Sequence, residues 1–356
     1  MSRITSRRRG VVVCLQRNLG PGVLLAVLAA ADPVLADEVA EAIGRRLERA
    51  AAEGDEEAFS KVIAYEAIAD RAVRLLKNDE IREGVRGGLL SSISQLGRSI
   101  ITSVSSGGHY DFLRVRERKG HTFLLFRLIG PNSSLDYHEY LLTDGEQGQR
   151  RIEDLYQYSI GAFISESTSR AFRLFEKRVL DPKEQREAAL IARFAQAADA
   201  GKPEDVVRAY KALPERLRRE KSFAAAYVKA ASQLGEVAYR SALKLFLDYF
   251  PDEIAGDLLG IDFFFAQELY GDAQRCVDRI GRTLGGDPYL DVIRASLYLH
   301  AGDSERAVER AKAAILAEKD LLPGYYVLLD IALATENHSG TVKGLDAIER
   351  RFQLVF

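Results

Sequence analysis

The chain has 356 residues, 47% of them hydrophobic, with 50 lysines and arginines against 52 aspartates and glutamates. That length suits two domains with sizeable cores, and a formal charge of −2 without a basic stripe excludes the electrostatic footprint of a nucleic-acid binder. Two cysteines, Cys14 and Cys276, cannot build a cysteine metal cluster.

Residues 1–36 have the layout of a secretory signal. Arg3, Arg7, Arg8, Arg9 and Arg17 make a basic start, residues 19–31 an apolar run, and Val34, Leu35 and Ala36 stand before Asp37 as a cleavage position. The run is shorter than the roughly 20 residues of a comfortable membrane span. Export with cleavage after Ala36, to the periplasm or the exterior, is therefore expected, and an uncleaved N-terminal anchor is the alternative. Five arginines and one aspartate leave with the signal, a loss of four positive charges that takes the formal charge from −2 to −6. Cys276 is then the only cysteine, so no intramolecular disulfide can form.

Residues 37–180 are expected to form one α+β domain. Two helices broken at Gly54 and Asp55 fill residues 37–76, the second with Phe59, Val62, Ile63, Ala69, Val73 and Leu76 on one stripe. A third helix spans about 79–96, loosened by Gly84, Gly87 and Gly88. From His109 to Ile164 the period changes to two. Residues 111–118, 122–129, 135–142 and 150–164 read as four strands, separated by Lys119-Gly120, by residues 130–134, and by Asp144-Gly145 with Gly148. Short turns imply an antiparallel meander. Helices followed by such a meander, ending in residues 154–172, resemble the cone-shaped ketosteroid-isomerase-like folds and the periplasmic phospholipid carriers. That resemblance covers about 56–175 and implies an apolar pocket between helices and sheet.

Simple alternation places Asp136, His138 and Tyr140 on one face of the third strand, and Ile152, Asp154, Tyr156 and Tyr158 on one face of the fourth. If those faces meet, His138 and Asp154 become an acid–base pair in a pocket lined by Tyr156 and Tyr158. The plainer reading is that the tyrosines pack and the polar pair is hydrogen-bonded or solvated. His138-Glu139 begins like a zinc-binding HExxH, but Leu142 stands where the second ligand must be. No phosphate loop, dinucleotide turn or nucleophile elbow occurs, and no cofactor or metal site is expected.

Beyond Asp181-Pro182, residues 181–356 read as paired helices. In the unit 288–322, Ala295 and Tyr298 lie on the first helix, Gly302-Asp303 closes it, and Ala307, Ala311 and Ala314 line the second. Moving back 34 residues from Ala307 reaches Ala273, and 35 residues further reaches Ala238, which is followed by Ala242. Pro251, Pro288 and Pro323 keep a similar interval. These residues resemble the tetratricopeptide repeat family, whose pattern has a small residue and an aromatic on helix A, alanines on helix B and a closing proline. The resemblance implies a stack of hairpins with a groove for a peptide or protein. Cys276 then falls on a helix B as a packing residue.

Three functions follow as expectations. The first is a non-catalytic exported adaptor that holds a protein or peptide partner on its repeats. The second is a carrier of an apolar ligand in the α+β domain. The third is a pocket enzyme using His138 and Asp154.

Overall fold

The computed structural model of the protein describes residues 33–131, 133–145, 149–180 and 185–353. The expected signal up to Asp32, Gly148, the boundary at Asp181-Pro182 and the last three residues lie outside them.

Five helices open the fold. α1 (Pro33–Glu53) takes in the expected cleavage position, α2 (Glu56–Lys61) starts where the Asp55 carboxylate caps the Ala58 amide at 2.8 Å, and α3 (Tyr65–Val73) follows. The helix expected over 56–76 is thus interrupted. At the interruption Ile63 forms a parallel bridge with Ile152, and the Ala64 amide donates to the Ile152 carbonyl at 2.8 Å. Strand pairing wins there over helical periodicity. α4 (Asp79–Ile93), capped by Asn78, and α5 (Leu96–Ser105) replace the single third helix.

The sheet is an antiparallel meander in sequence order, with five strands instead of four. They are β1 (His109–Arg118), β2 (His121–Ile129), β3 (Leu135–Asp144), β4 (Arg150–Gln157) and the two-residue β5 (Ala162–Phe163). Lys119 and Gly120 both have positive φ, as a two-residue hairpin turn of matching twist requires. α6 (Ile164–Leu180) closes the α+β region.

Five hairpins follow. They pair α7 (Gln185–Asp199) with α8 (Pro203–Ala212), then, after the single turn α9 (Glu215–Arg218), α10 (Lys221–Ser232) with α11 (Glu236–Tyr249). α12 (Ile254–Ala266) pairs with α13 (Tyr270–Leu284), α14 (Pro288–His300) with α15 (Ser304–Ala317), and α16 (Leu322–Ala334) with α17 (His338–Phe352). This arrangement is compatible with tetratricopeptide-like repeats. Punctuation residues do what their chemistry dictates. Gly285 ends α13 in the left-handed region, Pro288 fills the first turn of α14, and Asp303 caps α15 through the Arg306 amide at 3.0 Å.

Ala242, Ala273, Ala295, Ala307, Ala311 and Ala314 are all fully buried, so the alanines do sit where helices approach closely. Ala238 is only partly buried at the edge of its cluster, because α11 begins at Glu236 and its first turn still faces solvent.

The sheet is buried on both faces. Its inner face carries Tyr110, Phe112, Leu124, Phe126, Tyr140, Leu142, Ile152 and Leu155, packed with Leu47 of α1, Phe59 of α2 and Ile100 of α5. α1 approaches so closely that a methyl group on Gly44 would collide with the Phe112 ring. On the outer face Leu125, Tyr137 and Tyr158 join one buried cluster with α12, α13 and α14.

Candidate functional site

The expected acid–base pair does not form. A bulge in the β3–β4 ladder sets Leu141 opposite Asp154 but Leu142 opposite Ile152, so Glu153 is the extra residue. One inserted residue reverses the alternation. Ile152 therefore faces inward with Leu142, while Asp154 faces outward with Leu141 and Glu139, away from His138.

His138 is buried on the inner side. Its Nδ1 lies 3.1 Å from the Tyr110 hydroxyl, which is 2.8 Å from the Tyr140 hydroxyl, and its Nε2 is 3.6 Å from Asp136. The rings of Phe59, Tyr110, Phe112, Phe126 and Tyr140 fill the space between helices and sheet, with neighbouring centroids 4.9 to 6.3 Å apart. The pocket that the carrier reading needs is occupied by those side chains. Burial pushes the Tyr110 and Tyr140 hydroxyls above the ordinary phenol value.

Asp154 is 1% exposed. It accepts from the Leu155 amide at 3.0 Å, from the Ser165 amide at 3.3 Å and from the Ser165 hydroxyl, with Arg71 of α3 at 3.6 Å. Burial raises its carboxyl above the usual range, against the lowering effect of those hydrogen bonds and of Arg71. The carboxylate thus caps the first turn of α6. Tyr156 and Tyr158 do share the outer face with it, their rings 4.9 Å apart, and burial pushes both hydroxyls up to about 12. Tyr158 also donates to Glu139 at 3.4 Å, and Glu139 is held by Arg116 and Arg118 at 3.0 Å each. These tyrosines pack and bond, as the plainer reading expects.

One group had no counterpart among the sequence candidates. Arg127, buried on the outer face, donates to Asp111 of β1, to Asp287 before α14 and to Glu318 after α15, each at 2.7 Å. The Tyr137 hydroxyl donates to the other Asp287 oxygen at 2.6 Å, and Asp287 also caps the Tyr289 amide at 3.1 Å. The guanidinium stays charged, because three carboxylates outweigh its own desolvation. Arg116 adds a bond to the Thr283 carbonyl at 3.0 Å, and Lys221 joins the Gly161 carbonyl at 2.6 Å to Glu253 at 2.8 Å. The repeats are thus fastened to the sheet chiefly at the N-terminal end of α14, and Lys221 of α10 ties them to the turn before β5 as well. The signal available in the sequence was a charge inside the otherwise apolar strand of residues 122–129, whose partners lie too far along the chain to be paired by eye.

The other end of the same repeats is open. Tyr270, Gln274, Leu297, Tyr298, Asp303 and Arg306 line a cleft of about 770 Å³ where α13, α14 and α15 meet. Tyr298 is half-buried there, and the Arg306 guanidinium sits 4.6 Å above its ring. This cleft lies about 20 Å from Asp287, at 1.5 Å per residue along α14. Cys276, on α13, is buried, and its thiol is pushed up to about 12 by burial and by Asp257.

Among the described residues, no group of histidine, cysteine, aspartate and glutamate has the makings of a metal site. Also among them, no helix is long and apolar enough to cross a membrane.

No family model matches the chain, and no curated protein matches it. A crystal structure of MamA protein is similar to this chain at 12% identity with a TM-score of 0.40, over 48% of this chain and 97% of that one.

Proposed function

We propose that the protein is a non-catalytic adaptor, exported from the cytoplasm, whose repeats hold a protein or peptide at the cleft between Tyr270 and Arg306. The observation behind this reading is the unequal use of the repeat edges. One edge is taken up by the chain's own sheet through Arg127, Asp287 and Glu318. The other offers two tyrosines, an apolar floor and charges of both signs in an open cleft. Aromatic side chains with a polar tip suit peptide recognition, since they supply contact area at low entropic cost. Export rests on the composition of residues 1–36.

A photo-crosslinking residue at position 298 in the full chain, expressed in its source cells, tests the adaptor. Capture of one protein from position 298 but not from exposed position 237 on α11, lost when Tyr270→Ala is added, supports the reading. Capture from 237 alone, or from neither position, overturns it. Fractionation with N-terminal sequencing tests export: a start at Asp37 supports it, and recovery in the cytoplasmic fraction with a start at Met1 or Ser2 opposes it.

A further inference from the structure

The repeats cover only part of the outer face of the sheet. Beyond them, a cleft of about 510 Å³ lies between α3, α6 and the strand ends, a size in the usual range of small-molecule sites. Its floor is apolar. Phe123 of β2 and Phe163 of β5 lie 6.3 Å apart, beside Leu141.

Its rim is basic. Arg71 lies in the last turn of α3 and Arg74 caps its C-terminal end, while Arg170 and Arg173 stand three apart on α6 and share a helix face. Arg71 is committed to Asp154 and Glu153, both at 3.6 Å. Among the described residues, Arg74, Arg170 and Arg173 are paired with no carboxylate. Glu166 is the one other acid on the lining, which leaves the rim positive.

A separate observation points the same way. Ser169 is 8% exposed and lines this cleft, yet its hydroxyl oxygen has no hydrogen-bond partner. Buried hydroxyls are as a rule satisfied, and one left open at the wall of a cleft is available to whatever enters it. Unpaired guanidiniums present planar forks that match carboxylate or phosphoryl oxygens.

We propose that this cleft binds a small anion with an apolar body, its carboxylate or phosphoryl head held by Arg74, Arg170, Arg173 and the Ser169 hydroxyl, its body resting on Phe123 and Phe163. The site is separate from the repeat cleft and does not rest on the adaptor reading.

Calorimetric titration of the full chain with sodium octanoate and with phenyl phosphate tests it, with 1-octanol and inorganic phosphate as probes carrying only half of the ligand. Saturable one-to-one binding of octanoate or phenyl phosphate is expected, about tenfold or more tighter than the corresponding half-probe. The tighter of the two identifies the head as carboxylate or phosphoryl. Replacing Arg170 and Arg173 together by glutamine should weaken binding by about tenfold or more, and Ser169→Ala by about fivefold. Both arginines are exposed, so the double variant is expected to keep its fold, which its circular dichroism spectrum checks. Absence of saturation with both anions, half-probes that bind as tightly, or a correctly folded double variant that binds unchanged would each overturn the proposal.

Discussion

Strand β2 serves two interfaces built on opposite principles. Leu124 and Phe126 face the helices that precede the sheet, Leu125 and Arg127 face the repeats, and all four are 0% exposed. The inner interface is chiefly a stack of rings and aliphatic chains, whose directional contacts are confined to the hydrogen bonds of Tyr110 with His138 and Tyr140. The outer one carries a guanidinium shared by three carboxylates, which admits very few arrangements. Apolar burial supplies cohesion without direction. A buried ion network contributes less net stability than its Coulomb energy suggests, because both partners were desolvated to form it. What it fixes here is the seating of the repeats on the sheet.

Arg127→Ala is the strongest way to break this contrast. Removing one member of a buried pair costs about 3–5 kcal/mol, because the partner charges stay behind. Urea unfolding should then separate into two transitions, one for each region. A single transition at the wild-type midpoint would count against the network as the fastening. Leu124→Ala and Leu125→Ala sharpen the comparison, each costing about 2–5 kcal/mol as a cavity in a packed core. Combined with Arg127→Ala, the Leu125 cost should add less than fully, since both residues serve the outer interface, while the Leu124 cost should add in full.

A smaller effect is expected within the repeats. Ala311→Leu should cost about 1–3 kcal/mol by overpacking the helix contact, and Ala238→Leu clearly less, because only Ala311 is fully enclosed. Equal melting temperatures for the two variants would contradict the assigned repeat geometry. Asp154→Asn is expected to have the smallest effect. The raised carboxyl of Asp154 binds its proton more tightly in the folded chain than in the unfolded one. Wild-type stability is therefore lost as pH rises from the ordinary aspartate value, about 3.9, through the raised one. Asparagine does not titrate, so the stability of the variant relative to wild type should rise between pH 3 and pH 7, as followed by urea midpoints. The opposite slope would mean that Arg71 and Ser165 outweigh burial.

Local chemistry was the legible part of the sequence. The hairpin at Lys119-Gly120, the caps at Asp55 and Asp303 and the enclosed alanines all depend on residues close in the chain, and each stands where its chemistry places it. Two kinds of feature were hidden. An extra residue at Glu153 turns Asp154 to the far side of the sheet without altering the hydrophobic pattern on either side of it. The break at Ile63 depends on a strand that lies some 90 residues later. The two groups that define the candidate sites were hidden for the same reason. The ion network of Arg127 and the basic rim formed by α3 and α6 come from segments far apart in sequence, and periodicity does not report across that distance.

That separation has a consequence in time. Arg127 precedes Asp287 by 160 residues and Glu318 by 191. At about 5–20 residues per second of synthesis, the strand that bears the guanidinium waits roughly ten to forty seconds for these two later carboxylates, with only Asp111 at hand before them. For that interval Leu125 and Tyr137 stand uncovered on the outer face, beside a guanidinium that Asp111 of β1 alone accompanies. The residue that later seats the repeats thus keeps a charge on the very face they will cover.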